Sequence, residues 1–424
     1  MKDHFPKIYP ATDWGLQPSH FHPHALQVVK TLQDAGYQAF IVGGGVRDLL
    51  IGLHPKDFDV ATNATPEQVK ALFNHCLIIG RRFRLAHVHF KRHIIEVATF
   101  RRDHSHASNE NEASHKDGMI IRDNVFGSLE EDAIRRDFTV NALYYNPSDN
   151  SIADFTEGIF DIKNKQIKLI GEPESRFKED PVRILRAIRI ASKLSFHLEP
   201  NTEQAIKKTL SALDQVPGAR LFDEYTKLFL YGHAVTNFAS LNQHHAFIIL
   251  FPATEAHLNE PKFNQLINIA LNNTDQRYRE QKGINPAFLL SVFLWKAVNQ
   301  TKQQFIQEGE SIGIAFQHAM SQILSAQLQR MAMPKRFSAN IREIWFMQHA
   351  LEVRRPKLIE KTLAHPRFRA AYDFLHLRGQ IEEVPKSLVD WWEKIQTLDQ
   401  EGRVQMIKGL QKPKKKSKAH APQS

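Results

Sequence analysis

Asp57 and Asp59, one residue apart in Lys56-Asp57-Phe58-Asp59, have the type and spacing that most directly suggest chemistry. On an extended segment, residues i and i+2 face the same side, so both carboxylates would project together while Phe58 and Val60 turn to the core. Adjacent carboxylates repel each other unless a cation is shared. Hard oxygen donors suit Mg²⁺, which also takes phosphate oxygens. Upstream lies Gly43-Gly44-Gly45-Val46-Arg47-Asp48, a glycine-rich turn between an expected strand and an expected helix. There the backbone at Gly43 and Gly44 could approach a phosphate closely, and Arg47 could add a charge-assisted contact. The segment fits neither the Walker A pattern nor G-x-G-x-x-G. A phosphate-binding turn just ahead of two paired carboxylates points to phosphoryl transfer.

A two-metal site calls for a third carboxylate, and the sequence offers two. Glu96 interrupts the apolar run Ile94-Ile95-Glu96-Val97-Ala98, where an isolated charge is costly without a partner. Asp137 follows two arginines in Arg135-Arg136-Asp137-Phe138-Thr139, close to Asn141; its alternative is a plain ion pair with an arginine. The residues alone do not choose between them. Farther on, Arg183, Arg186, Arg189 and Lys193 recur at helical spacing and form one basic stripe, with Val182, Leu185 and Ile188 left to pack inward. Beside a site that handles phosphates, the stripe is expected to bind a polyanion rather than only to be solvated. Asp180, ahead of Pro181, could be an ordinary helix cap, a ligand contact, or both.

These residues need a scaffold. Apolar runs predict strands over 37–42, 56–61, 86–90 and 94–100, and helices over 24–35, 46–50 and 65–73. The last is opened by the capping-box pair Thr65 and Gln68. Residues 1–23 show no periodicity and are expected to be irregular. The polar stretch 103–118 is expected to be a mobile loop. Beyond it the pattern is helical, with predicted helices over 181–193, 203–213, 219–230, 286–298, 315–332, 339–352 and 367–378. The expectation is an α+β chain: a small N-terminal mixed α/β head followed by helical domains.

Composition bounds the rest. The chain has 424 residues, 42% of them hydrophobic and 24% charged, ordinary for a soluble globular protein. One cysteine, Cys76, excludes an intrachain disulfide and a cysteine-rich zinc site. The N-terminus carries no apolar leader and no stretch is long enough to span a membrane, so a cytoplasmic location without membrane insertion is expected. The net charge is +10, and more than half of it lies in residues 401–424, where seven Lys/Arg face one Glu. Such a tail is expected to be disordered, either solubilising the protein or binding a polyanion.

Taken together, the motifs resemble one family. Phe40 to Asp48 with Lys56-Asp57-Phe58-Asp59 looks like the head motif of class II nucleotidyltransferases, the polymerase-beta-like family of CCA-adding enzymes and bacterial poly(A) polymerases. Arg135 to Thr139 with Asn141-Ala142 resembles its second motif, tied to ribose recognition and the active-site carboxylates. The third is matched by Asp154 to Gly158 with Asp161. Glu179-Asp180-Pro181-Val182-Arg183 resembles the fourth, in which the Asp and Arg meet the incoming base. Gly80-Arg81-Arg82-Phe83-Arg84-Leu85-Ala86-His87-Val88 resembles the signature of the poly(A) polymerase branch, as do 217–230, 285–289 and 365–373. The tail departs from that branch in being shorter and richer in lysine.

The resemblance implies a nucleotidyltransferase head over 22–165, after an arm over 1–21. A helical neck over 166–235 that binds nucleotide and RNA, a helical body and leg over 236–400 that bind RNA, and the tail over 401–424 would follow. It implies addition of AMP from ATP to RNA 3′ ends with two Mg²⁺ ions. Asp57 and Asp59 would hold metal, with Asp137 or Glu96 completing the set. Gly43, Gly44, Arg47, Arg136, Asn141, Asp180, Arg183 and Arg186 would bind nucleotide. Arg81, Arg82, Arg84, Arg189 and Lys193 would bind RNA. The expected partners are messenger, small and tRNA-like RNAs and RNA-decay proteins, with the enzyme a monomer. CCA addition to tRNA is the competing enzymatic reading, and a non-catalytic RNA-binding protein the competing reading of another class.

Overall fold

β-branched and aromatic runs pair first into a sheet, and helices then cover it. The computed structural model describes residues 5–80, 84–102, 113–116, 119–123 and 125–410. Its strands are β1 (Lys7–Pro10), β2 (Ala39–Val42), β3 (Asp59–Thr62), β4 (Cys76–Ile79), β5 (Leu85–Phe90), β6 (His93–Thr99), β7 (Ala113–Lys116), β8 (Met119–Asp123), β9 (Leu143–Asn146), β10 (Ser151–Asp154) and the short parallel pair β11 (Gln166–Ile167) and β12 (His197–Leu198). Eight of them form one sheet in the order β1-β10-β9-β2-β3-β6-β5-β4, while β7 and β8 pair with each other. Within the large sheet β3 and β6 run parallel, and the other neighbours are antiparallel.

Around this sheet lie α1 (Pro23–Asp34), α2 (Gly44–Leu50), α3 (Pro66–Leu72), α4 (Leu129–Arg135) and α5 (Gly158–Lys163). Then come α6 (Pro173–Glu179), α7 (Val182–Leu194) and α8 (Pro200–Thr209). The capping box of α3 forms as read: Thr65 accepts from the Gln68 N–H, and Gln68 from the Thr65 N–H. Val42, Ala61, Phe100, Ala133, Tyr144 and Ala153 form a buried cluster over β2, β3 and β9. The chain divides into two compact units, one ending at Val216 and the other beginning at Pro217.

The second unit is helical: α9 (Gly218–Phe229), α10 (Ala234–Gln243), α11 (Phe247–Leu250), α12 (Pro252–Glu255), α13 (Pro261–Arg279), α14 (Pro286–Phe293) and α15 (Trp295–Gln307). These are followed by α16 (Ile312–Arg330), α17 (Lys335–Val353), α18 (Ile359–Leu363), α19 (Phe368–Gln380), α20 (Lys386–Thr397) and α21 (Gln400–Gly409). Phe229, Phe247, Phe251 and Phe293 pack edge-on and tilted in its core. Buried Trp345 and Trp392 each donate their indole N–H to a carbonyl, of Ser291 and Leu351 respectively, as buried indoles require.

Five expectations change, one being that Ala113–Lys116, within the stretch expected to be a mobile loop, is strand β7 paired with β8. Lys7–Pro10, in the stretch expected to be irregular, is an edge strand on β10, where Pro10 is tolerated at the strand end. β3 starts at Asp59 rather than Lys56. The backbone at Asp57 and Phe58 is held against Gly45 of α2, where an added Cβ would lie 3.2 Å from the Asp57 carbonyl oxygen and 3.0 Å from the Phe58 ring. The predicted helix 286–298 breaks at Leu294 into α14 and α15. The tail, expected to be disordered from 401, is helical over Gln400–Gly409, capped by the Asp399 carboxylate on the Gly402 N–H. Residues 411–424, with the lysine run, and 103–112 of the expected loop lie outside the described residues. Among the described residues no helix is long and apolar enough to cross a membrane.

Candidate active site

The end of β2 hands the chain to Gly43, whose φ of 74° suits a residue without a Cβ, and α2 follows at once. Gly45 on α2 is the contact point for the Asp57-Phe58 backbone. Phe58 and Val60 are buried, whereas Asp57 and Asp59 are exposed. The alternation read from the sequence therefore holds, although Asp57 lies ahead of the strand. Both aspartates line one cleft of about 560 Å³, together with Glu96, Lys56, Arg92 and three histidines, His22, His87 and His93.

Register fixes the next carboxylate. Asp59 on β3 pairs with Glu96 on β6, and Glu96 with His87 on β5. The three side chains form a row across adjacent strands, with His87 Nε2 3.4 Å from the Glu96 carboxylate. Partial desolvation of the Asp59 carboxyl by the cleft walls, then repulsion from Glu96 and Asp57, pushes its pKa up to about 6, against the pull of Arg136. That is the electrostatic condition a divalent cation would relieve. Among the described residues, no three His, Cys, Asp or Glu side chains form a self-sufficient metal site. Mg²⁺ does not demand one: it keeps waters and takes one or two carboxylates plus substrate phosphate oxygens. The carboxylates present fit such an ion.

Asp137 is engaged elsewhere. Its Oδ1 accepts from the Phe138 N–H at 2.8 Å and from the Asn141 amide at 3.0 Å. Its Oδ2 holds the Arg186 guanidinium through both Nε, at 2.8 Å, and Nη2. Burial raises its pKa, but Arg186, Asn141 and the Phe138 N–H together hold it well below the usual carboxylate range. Asp137 thus stays ionised as an anchor for Arg186.

The arginines are mostly bound in place. Arg47 is buried; it donates to Asp48 and, at 2.5 Å, to the Asn141 side-chain oxygen. Arg136 is held by Asp132 and by the Tyr144 hydroxyl, and its guanidinium lies 3.6 Å from where a Cβ on Gly43 would be. Arg183 donates through Nη1 to Glu179, at 2.8 Å, and to the Arg176 carbonyl. Lys193 reaches Asp48 at 2.7 Å. The stripe expected to face RNA is therefore largely an ion-pair seam fixing α7 within the first unit: Arg183, Arg186 and Lys193 each hold a carboxylate there, and Arg189 is half-buried beside them. Arg84 pairs with Glu67. Arg81 and Arg82 lie outside the described residues. Pro181 is the N-cap of α7, and the Asp180 carbonyl accepts from the Arg183 N–H.

Two further cations, Arg135 and Arg101, were given no role in the sequence reading. Burial, then repulsion from Arg101, Arg136, Arg183 and Arg176, lowers the Arg135 pKa to about 9. Burial likewise lowers that of Arg101 to about 10, with Asp132 opposing. Such a concentration of guanidinium charge suits a polyphosphate. The adjacent Arg135 and Arg136 were its one sequence signal; Arg101 and Arg176 come from distant segments.

Residues 39–168 match the family model described as poly A polymerase head domain. Residues 195–258 match the probable RNA and SrmB-binding site of polymerase A, and 308–424 the polymerase A arginine-rich C-terminus. Poly(A) polymerase I of Haemophilus influenzae is 44% identical over 427 residues, covering 98% of this chain and 94% of that one. The chain belongs to the poly(A) polymerase family. A CCA-adding enzyme of Lactobacillus helveticus is 39% identical over 210 residues, only half of either chain, so the poly(A) polymerase likeness is the one that runs end to end. A solved CCA-adding enzyme, apo form II, superimposes with a TM-score of 0.65 at 21% identity, over 95% of this chain and 91% of that one, and shares the fold. In the poly(A) polymerase head, Asp57, Asp59 and Glu96 are the carboxylates drawn to one cleft.

Proposed function

We infer that the protein adds AMP from ATP to RNA 3′ ends without a template, releasing pyrophosphate. The row formed by Asp59 and Glu96 with Asp57 beside it, on the floor of one cleft, is the observation that carries this reading. Asp57 and Asp59 would hold two Mg²⁺ ions, with Glu96 as the third carboxylate. Ions bound there would lower the pKa of the RNA 3′-OH and offset charge on the triphosphate and its leaving group. The backbone at Gly43 and Gly44, with Arg136 beside it, would receive the phosphates, while Arg47 fixes Asn141 and Asp48. Asp137 holds Arg186 toward the nucleotide. Asp180 and Arg183 would meet adenine, Arg183 through the Nε and Nη2 donors that Glu179 leaves open.

The RNA 3′-OH attacks the α-phosphorus, the bond to the β,γ-diphosphate breaks, and the hydroxyl proton passes to solvent. The reading extends to a cytoplasmic monomer acting on messenger, small and tRNA-like RNAs alongside RNA-decay proteins; the single free cysteine, Cys76, agrees with a reducing compartment. The test is a short labelled RNA incubated with Mg²⁺ and each nucleotide triphosphate separately. Long extension with ATP alone is expected. Finite addition that requires CTP before ATP would establish CCA addition instead, and no incorporation at all would leave an RNA-binding protein.

A further inference from the structure

Asp132 is a buried carboxylate to which the proposed chemistry gives no part. It sits on α4, and its Oδ1 accepts from the Arg101 N–H at 3.2 Å, which ties α4 to the chain just past β6. Its Oδ2 gathers three donors: Arg136 Nη2 at 2.9 Å, Arg136 Nε at 3.2 Å and the Tyr144 hydroxyl at 2.7 Å. The same Tyr144 oxygen accepts from Arg136 Nε at 2.8 Å. A phenol has one proton to give and lone pairs with which to take another, so the tyrosine closes a ring between carboxylate and guanidinium. Burial raises the Tyr144 pKa well above the usual phenol range and keeps that proton in place. Burial also works against the charge on Arg136, but the Tyr144 oxygen and Asp132 outweigh it and hold the guanidinium above its usual range.

Tyr144 is fixed in its turn. It is fully buried, and its ring meets Phe40 and Phe155 edge-on at 6.1 and 6.3 Å. On β9 it pairs in register with Val42 of β2, the residue before Gly43. The β2–β9 ladder therefore sets where the tyrosine lies relative to the glycine turn.

One end of Arg136 is left over. Nε and Nη2 are taken up by Asp132 and Tyr144, and among the described residues Nη1 donates to no acceptor. Nη1 lies 3.6 Å from the place a Cβ would take on Gly43, and the guanidinium is near enough to Asp59 to pull its pKa down. A mobile arginine would lose side-chain freedom on meeting a ligand; one already held through two of its nitrogens presents the third with little left to lose.

We propose that Asp132 and Tyr144 are positioning residues that lock the Arg136 guanidinium, so that Nη1 faces the glycine turn ready for a phosphate oxygen of ATP. They set the affinity for the nucleotide without touching it. The identity of that ligand rests on the adenylation reading.

The experiment is isothermal titration of ATP into the full chain with Mg²⁺ and without RNA, so that no turnover occurs. Tyr144→Phe keeps the ring between Phe40 and Phe155 and removes only the hydroxyl. It is expected to weaken ATP binding about fivefold, within the range of a single hydrogen bond. Asp132→Asn, which also removes the charge, is expected to weaken it by about twentyfold. Arg136→Lys keeps a cation beside Asp132 but loses the planar fork. In that background Tyr144→Phe is expected to cost less than about twofold more, because its effect passes through the guanidinium. Thermal melting checks each fold, and the Tyr144→Phe and Arg136→Lys cycle carries the test even where Asp132→Asn does not melt cooperatively. Unchanged ATP affinity in Tyr144→Phe would overturn the proposal. So would effects of Tyr144→Phe and Arg136→Lys that simply multiply, the mark of a general structural role. An unsubstituted protein that takes up no ATP would overturn the adenylation reading and this one together, whereas normal uptake with an unshifted Tyr144→Phe overturns this one alone.

Discussion

Asp59 on β3 and Glu96 on β6 stand side by side in parallel register, two carboxylates on neighbouring strands of one sheet. Desolvation in the cleft and then this pairing push the Asp59 carboxyl up to about 6. Asp137, the other candidate for the third carboxylate, is bound to Arg186.

The repulsion has a sign that can be checked. An aspartate whose folded pKa lies above its unfolded value, near 3.9, binds more protons when folded, so it favours folding at low pH. That contribution is lost as pH rises from about 4 through about 6. In metal-free buffer, Asp59→Asn is therefore expected to be more stable than the unsubstituted protein at pH 7, and indistinguishable from it at pH 4. The gain is on the order of 1 kcal/mol, since solvent screens much of the repulsion at an exposed carboxylate. Chemical denaturation at the two pH values measures it. A stability difference that does not depend on pH would contradict the crowding of Asp59.

Gly45 is expected to control Asp57 by contact. A methyl group there would sit 3.2 Å from the Asp57 carbonyl oxygen and 3.0 Å from the buried Phe58 ring, so one of them must move. Gly45→Ala should lower kcat for AMP incorporation by about threefold or more, through displacement of Asp57 by a few tenths of an ångström. Its effect on the KM for RNA should be small. Steady-state kinetics with a short RNA reads both, and an unchanged kcat would show that the Asp57 backbone does not depend on α2.

Asp137→Asn keeps the shape and removes the charge that holds Arg186. Breaking a largely buried ion pair leaves a guanidinium without its anion, a loss of about 3 kcal/mol in stability. If Arg186 serves the nucleotide, the KM for ATP rises while the Mg²⁺ concentration for half-maximal activity stays put. A raised Mg²⁺ requirement with an unchanged KM for ATP would return Asp137 to the metal site.

Much of this site was legible because its signals are local. The Asp57/Asp59 spacing, the glycine turn and the Thr65–Gln68 capping box each depend on residues a few positions apart; the turn and the capping box formed as read, and both aspartates face one cleft although Asp57 precedes the strand. What the sequence hid depends on register and long-range contact. Glu96 meets Asp59 only because β3 and β6 run parallel, a pairing that joins residues far apart in the chain. The basic stripe on α7 was correctly read as one face of a helix. Its charges, however, are taken up by Glu179, Asp137 and Asp48, and no helical period can announce where those carboxylates will lie. β1 was missed for another reason: an edge strand with mostly exposed side chains shows no alternation. In the second unit, α13 escaped because asparagines and glutamines dilute its apolar face, although nineteen residues form it.

Mg²⁺-dependent AMP incorporation into a short RNA, measured for Asp57→Ala and Asp59→Ala against the unsubstituted protein, bears most directly on the account. Each variant is expected to lose activity by on the order of a thousandfold or more, with cooperative melting preserved, because the proposed metal-assisted phosphoryl transfer has no substitute for those oxygens. Incorporation near the normal rate by either variant would show that the paired aspartates do not hold the metal.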